Sequence, residues 1–280
     1  VQKSLELGPL FIKVGQILST RPDVLPQEYI AELAQLQEHV PPFPYSDARM
    51  IVREEFQQDI HDLFRSFEER PVAAASLAQI LFAELFDGTP VAVKIQRPQA
   101  KEAITADLAL LSGWITLFCR LFPKKARRFN LAAGFQEFGR YTLQELDFVL
   151  EANTMERFRH NFADQHDVII PQVYYDLVKP RVLTMERITG QRLSEITPTL
   201  STQKRKQLSH RLLEIEMKMF ISDGVFHADL HPGNIFFLGD ERIALLDFGM
   251  YGELSQEHRD HFILYWLAVF QRQTRRAFYH

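Results

Sequence analysis

Apolar residues recur every three or four positions from the start of the chain: Leu7, Leu10, Phe11, Val14 and Ile17/Leu18, then Ile30, Leu33, Ala34 and Leu36. That spacing draws one apolar stripe along a helix, so residues 4–39 read as helical, interrupted at Arg21-Pro22 and Pro26. Pro41, Pro42 and Pro44 follow as a linker. The pattern then changes. Gln79–Leu85 and Val91–Gln96 read as short strands joined by the turn Asp87-Gly88-Thr89-Pro90. Residues 100–122 and 131–163 read as helices, the second with Phe135, Phe138, Leu143, Leu146 and Leu150 at core spacing. Val168–Val173 and Val182–Met185 read as strands, residues 204–222 as a helix, Ile235–Leu238 and Ile243–Leu246 as two strands, and residues 256–278 as a last helix. Strands first and helices afterwards, without an internal repeat, predict an α+β protein of two unequal lobes. The expected divisions are a helical extension over 1–44, a small lobe over 45–188 and a large lobe from 189 to 280.

Composition narrows the class. With 280 residues, 46% hydrophobic and 24% charged, the chain reads as globular. A net charge of -4, from 32 basic and 36 acidic residues, gives no electrostatic footprint for a nucleic-acid partner. Cys119 is the single cysteine, so an intramolecular disulfide is excluded and a reducing compartment is the default. Val1 is not a start residue and no leader-like segment opens the chain, which reads as a piece of a longer protein. The longest apolar stretch, Leu108–Phe122, includes Ser112, Gly113, Thr116 and Arg120. It falls short of the roughly 20 residues that cross a bilayer, and reads as a buried helix. For the basic run that follows, Lys124, Lys125, Arg127 and Arg128, two readings stay open: a solvated face or a contact with anionic lipid.

The strongest chemical signal is His227-Ala228-Asp229-Leu230-His231-Pro232-Gly233-Asn234, followed by Asp247-Phe248-Gly249. Phosphoryl transfer needs metal ions on the phosphates and a group that positions the attacking hydroxyl or water. Asp229 stands where that positioning carboxylate belongs. Asn234 and Asp247 offer hard oxygen donors of the kind magnesium takes, and a hairpin between them would bring them together. Upstream, Lys94 lies in the apolar strand Val91-Ala92-Val93-Lys94, where an ammonium is costly unless something anionic meets it. Nucleotide phosphates and a helix glutamate, with Glu151 as the candidate, would do so. His227 and His231 stand at zinc-like spacing but lack further ligands, and His227 reads as structural.

These residues resemble the protein-kinase-like superfamily, and three further segments are similar to the UbiB/ADCK family of atypical kinases. Leu7-Gly8-Pro9 with Phe11-Ile12-Lys13-Val14-Gly15-Gln16 resembles that family's Lys-x-Gly-Gln signature. Ala73-Ala74-Ala75-Ser76 resembles its alanine-rich loop, and Glu145-Leu146-Asp147 with Glu151 its Glu-x-Asp segment. The resemblance implies ATP or ADP with Mg2+ as cofactors, held by Ala73–Ser76 and Lys94, with Asn234 and Asp247 on the metal. It implies that the N-terminal helix lies over the active-site cleft, Lys13 facing Glu145 and Asp147 with Gln16 beside it. It also implies a role in ubiquinone biosynthesis, a lipid or quinone-precursor acceptor, other quinone-making proteins as partners, and attachment to a membrane facing a reducing compartment. The adenine edge would meet backbone groups near Glu186 and Ile188.

Some residues depart from a protein kinase. Ala73, Ala74 and Ala75 carry Cβ atoms where phosphate loops favour glycine, which predicts altered nucleotide selectivity and slow transfer. Position 228 is alanine where regulated kinases carry arginine, and no Ala-Pro-Glu follows Asp247-Phe248-Gly249, so protein substrates are not expected. Two rival readings are a small-molecule kinase similar to aminoglycoside or choline phosphotransferases and a nucleotide-binding pseudokinase scaffold. The Lys13–Gln16 and Ala73–Ser76 segments weigh against the first, and the presence of Asp229, Asn234 and Asp247 against the second.

Overall fold

A computed structural model describes residues 8–19, 26–38, 40–128, 130–239 and 242–272. They form two compact units, one taking the described residues up to Asn153 with Gln172–Arg187, the other Thr154–Pro171 with the described residues from Ile188 onward. Residues 154–171, expected in the small lobe, thus group with the second unit.

The first unit opens with helices α1 (Pro9–Ser19) and α2 (Gln27–Glu38), as the apolar spacing predicts. The expected break at Arg21-Pro22 lies outside the described residues. Helix α3 (Tyr45–Phe56) was not foreseen, although Ala48, Ile51 and Val52 put a buried i, i+3, i+4 stripe on it. A one-turn helix α4 (Ile60–Leu63) is closed by a capping box between Asp59 and Asp62. Strands β1 (Ser66–Phe67), β2 (Ala73–Ala74), β3 (Ala78–Glu84) and β4 (Pro90–Gln96) follow. The turn between β3 and β4 is the predicted one: Gly88 takes φ +90°, a conformation glycine reaches without a Cβ penalty, and the Thr89 N–H donates to Asp87 Oδ1 at 2.9 Å.

Next come α5 (Ala100–Leu121), α6 (Pro123–Arg128), α7 (Leu131–Gln144) and α8 (Phe148–Asn161). The single helix expected over 131–163 is therefore two. Asp147 causes the break, because its Oδ1 accepts from the Val149 and Leu150 N–H groups at 3.1 and 3.3 Å and so caps a new helix start. The strand expected over 168–173 is also two, β5 (Val168–Ile169) and β6 (Val173–Lys179), parted at Pro171, which has no N–H for a ladder. Strand β7 (Val182–Glu186) completes an antiparallel sheet ordered β1-β3-β4-β7-β6, with β2 also on β3.

Side chains alternate across that sheet. Val91, Val93 and Ile95 join Phe43, Ile51, Val52, Phe64, Leu81 and Val182 in one core beneath α3, leaving Lys94 to the opposite face. A second core collects Leu10 of α1, Leu77, Ala100, Ile104 and Leu108 of α5, and Leu146. Only the first half of α5 takes part. From Ala109 onward the helix is largely exposed, which overturns the reading of Leu108–Phe122 as a buried helix.

The second unit holds β5 and a short strand β8 (Gln191–Arg192), helices α9 (Leu193–Ile196) and α10 (Thr202–Met217), and strands β9 (Val225–His227), β10 (Ile235–Phe237), β11 (Ile243–Leu245) and β12 (Tyr251–Glu253). Its main sheet runs β5-β11-β10-β8, with β5 parallel to β11 and the expected β10–β11 hairpin at its centre. Strands β9 and β12 pair separately at Gly252, where an added Cβ would stand 2.2 Å from the Phe226 ring. Helix α10 begins at the Ser201 cap and passes into a π turn over Lys218–Asp223 that delivers the chain to β9. The last helix, α11 (Gln256–Phe270), starts at the Ser255 cap; the rest of the stretch expected to reach 278 is described only to residue 272.

Candidate functional site

The predicted site residues fall into two sets, one in each unit. In the first unit the alternation of β4 sends Lys94 away from the apolar core, and α8 supplies its partner. Lys94 Nζ donates to both carboxylate oxygens of Glu151, at 2.8 and 2.9 Å, with side-chain exposures of 12% and 2%. The ammonium also lies 5.3 Å from the centre of the Phe148 ring. A buried ammonium is tolerable only when so compensated. Phe148 went unnoticed in the sequence because nothing local marks it as the residue under the lysine.

The extension helix and the alanine segment belong to the same unit. Lys13 Nζ reaches both oxygens of Glu145, at 2.6 and 2.7 Å, with side-chain exposures of 8% and 12%. Ser76 Oγ donates to Gln16 Oε1 at 3.4 Å. Asp147 departs from the expectation: its exposed carboxylate caps α8, and the Lys13 ion pair is made with Glu145. Two residues apart on a helical turn, the acids point in different directions.

Ala73 and Ala74 form β2, and Ala75 N–H donates to the Ala78 carbonyl at 2.7 Å, so Ser76 and Leu77 make a tight turn. None of residues 73–77 has a positive φ, so the loop avoids the conformations that glycine would open. Arg97, which sequence reasoning missed, fixes this turn. Its Nε donates to the Ala75 carbonyl at 3.0 Å, its Nη2 to the Pro41 carbonyl at 2.5 Å, and its own N–H to the Leu77 carbonyl at 2.7 Å. Nothing in the local sequence separates Arg97 from an ordinary surface arginine.

Glu186 ends β7 opposite Val91. Its N–H donates to the Gln172 carbonyl at 2.8 Å and its Oε2 accepts from the Gln172 N–H at 3.2 Å. Ile188 is the first residue of the chain's return to the second unit.

In the second unit Asp229, Asn234 and Asp247 are set by backbone hydrogen bonds. Asn234 Nδ2 donates to the Asp229 carbonyl at 3.0 Å, a bond that fixes the amide and does not use its oxygen. The Leu246 N–H donates to the Asn234 carbonyl at 2.9 Å, so Asn234 and Asp247 flank the same end of the β10–β11 hairpin. Asp247 is exposed and takes φ +60°, a left-handed conformation that aspartate tolerates better than most residues. The two donors are hard oxygens, one carboxamide and one carboxylate, and magnesium takes few protein ligands when phosphates and water complete its shell. Among the described residues no cluster of three or more His, Cys, Asp or Glu offers another metal centre. The residues thus fit Mg2+ brought with a nucleotide.

His227 supports the loop from beneath. Its Nδ1 accepts from the Asp229 N–H at 3.1 Å, and its Nε2 meets the Leu246 carbonyl at 3.0 Å, an arrangement that uses both nitrogens of the neutral ring. Burial pushes its pKa below the ordinary value, against the pull of the Leu246 carbonyl and the Asp247 and Asp229 charges. The ring packs on Phe248, which packs on Phe158, with centroids 5.0 Å apart in each case.

Comparison with known proteins bears on the family and the fold. Residues 35–279 match the ABC1 atypical kinase-like domain. The protein Activity of BC1 complex kinase 8, chloroplastic, from Arabidopsis thaliana is 38% identical over 96% of this chain and 36% of its own length. Proteins named probable protein kinase UbiB are 36% identical in Azotobacter vinelandii, over 97% of this chain and 51% of theirs, and 38% identical in Pseudomonas paraeruginosa, over 97% and 52%. The chain therefore spans between about a third and a half of these curated relatives. A solved complex of Rv3197 with erythromycin from Mycobacterium tuberculosis shares the fold at TM-score 0.70 and 27% identity, covering 95% of this chain and 66% of that one. With the lysine–glutamate pair, the Asp229–Asn234 loop and the Asp247 hairpin in place on a kinase-like α+β fold, the chain belongs to the ABC1 atypical kinase-like family.

Proposed function

We propose that this chain binds Mg-ATP or Mg-ADP and acts as an ATPase or phosphotransferase in ubiquinone biosynthesis, on a substrate that is not a protein. The orientation of Asn234 carries the reading: its amide is held by the Asp229 carbonyl so that its oxygen, with the Asp247 carboxylate, suits a hard cation. Magnesium, when bound, would neutralise phosphate charge. Lys94, steadied by Glu151, would pair with phosphate oxygens. Asp229, its backbone fixed at both N–H and carbonyl, would orient the attacking water or hydroxyl. The ion pair of Lys13 with Glu145 and the Ser76–Gln16 contact support a regulatory cover formed by α1. Ala228 and the short path from Gly249 to α11 weigh against a phosphorylation-sensing activation segment of the protein-kinase kind. The UbiB-named relatives and the resemblance in Lys13–Gln16 and Ala73–Ser76 support the pathway.

The test is calorimetric titration of ADP and ATP with and without Mg2+, together with ATPase turnover, on the wild type and Asp247→Asn. Magnesium-dependent binding and a turnover loss of about a hundredfold in the variant are expected, a typical effect of removing one group that meets transition-state charge. Nucleotide binding without turnover in either protein would favour the scaffold reading, and transfer to sugar or amino-alcohol acceptors the small-molecule kinase.

A further inference from the structure

The segment from His227 to Asn234 has two histidines four residues apart, and their rings make the same contact. His227 Nδ1 accepts from the Asp229 N–H at 3.1 Å, and His231 Nδ1 accepts from the Gly233 N–H at 3.0 Å. Each ring takes the peptide hydrogen two residues on, so a neutral imidazole carries its own proton on Nε2. The spacing that looks like zinc chemistry in the sequence is a repeated peptide staple in the fold.

The second staple closes the stretch that ends in Asn234. The Asp229 carbonyl accepts from the His231 N–H at 2.9 Å and from Asn234 Nδ2 at 3.0 Å, and the His231 carbonyl accepts from the Asn234 N–H at 2.9 Å. Pro232 has no N–H to give, so Gly233 supplies the one peptide hydrogen between His231 and Asn234, and the imidazole takes it. Gly233 is not needed for its backbone, because its φ lies outside the left-handed region. It is needed for room: a Cβ there would stand 2.7 Å from His231 Cε1 and 2.9 Å from Nδ1. Ring and glycine are a matched pair, and neither changes alone without disturbing the peptide before Asn234.

We propose that His231 is a positioning residue for the cation site. Through Nδ1 it holds the Gly233 peptide, which keeps the Asn234 amide on the Asp229 carbonyl and leaves its oxygen for the metal; Gly233 is the space this ring requires. The role rests on the proposed function, which gives Asn234 to the metal. Groups that orient a metal ligand without touching the ion typically contribute about 10–100-fold to metal affinity.

The test is calorimetric binding of ADP with and without Mn2+, an ion that takes the same hard oxygen donors as Mg2+ and whose bound fraction electron paramagnetic resonance reads directly. Asp247→Asn is the control for the site itself. His231→Ala should weaken Mn2+-dependent binding by about 10–100-fold and leave metal-free ADP affinity at the wild-type value. His231→Asn should restore most of the loss, because a side-chain carbonyl can also accept the N–H two residues on. Gly233→Ala should do as much damage as His231→Ala, yet the double variant should be no worse than His231→Ala alone, since the clash leaves with the ring. A metal-dependent wild type that His231→Ala leaves unchanged overturns this role alone, as does a double variant whose losses multiply. A wild type without metal dependence, matched by Asp247→Asn, overturns the reading of the site and this role with it. Where His231→Ala does not fold, Gly233→Ala decides: unchanged Mn2+ affinity overturns the role, and a loss that metal-free ADP affinity does not share upholds it.

Discussion

The two sets of candidate residues are held by different physics. In the first unit, charge is neutralised within the protein: Lys94 with Glu151 and Lys13 with Glu145 are short, largely buried ion pairs. In the second, Asp229, Asn234 and Asp247 are placed by hydrogen bonds between peptide groups, a side-chain amide and the His227 ring, and the Asp247 carboxylate is exposed. The first arrangement contributes to folding, and under the proposed function it would be partly given up or shared when phosphate binds. The second is placed by hydrogen bonds of the loop and hairpin backbone and, among the described residues, involves no buried ion pair of the kind made by Lys94 or Lys13. Changes in the first set should therefore move stability and binding together, and changes in the second should move chemistry with the fold intact.

The largest effect that would sharpen this contrast is at Lys94. Lys94→Met strands Glu151 in a buried position and should cost about 3–5 kcal/mol in urea denaturation, along with nucleotide binding. Lys94→Met combined with Glu151→Leu should recover most of the stability but none of the binding. A single variant as stable as wild type would break the comparison. Next is the Lys13–Glu145 pair, where a double-mutant cycle with alanine should give a coupling of about 1–3 kcal/mol and where Lys13→Ala should change ATP turnover. Unchanged kinetics would remove the regulatory role of α1.

A smaller effect should appear in the second unit as pH falls. His227 is buried neutral with its folded pKa lowered, so the unfolded chain takes up a proton that the folded chain refuses. Its contribution is fully present above the unfolded value of about 6.5 and is lost progressively below it, by up to about 1.4 kcal/mol per pH unit. Denaturation of metal-free protein between pH 7 and pH 5 checks this, and His227→Gln should flatten the slope. The smallest effect is at the alanine turn. Ala73→Gly loosens a segment whose backbone needs no glycine, costing about 0.5–1 kcal/mol, and should shift the ratio of ADP to ATP affinity.

Both hairpins were legible in the sequence because turn chemistry and alternation agree there: Asp87-Gly88 between β3 and β4, and two short apolar runs between Asn234 and Asp247. Motif order likewise brought Asn234 and Asp247 to one end of the β10–β11 hairpin, for the same local reason. Helix α3 was missed although Ala48, Ile51 and Val52 mark it, because the prolines before it read as a linker to a sheet. The break at Glu145–Asp147 was missed because an acid inside an apolar period looks like helix surface until its carboxylate is seen capping Val149 and Leu150. Burial along α5 could not be read at all: Leu108 and Leu110 are chemically alike, and only what packs beside each one separates them. The same holds for Arg97, whose role depends on carbonyls far away in sequence.

The φ of +60° at Asp247 bears on how variants of this family should be compared. A saturation library at this position passes through two filters, one for an oxygen that can bind a cation and one for a peptide unit that accepts the mirror-image turn. Asparagine and glycine satisfy the second while altering the first, whereas alanine, valine or glutamate disturb both. Only the former pair reports cleanly on the carboxylate, and an alanine variant would overstate what that single charge contributes.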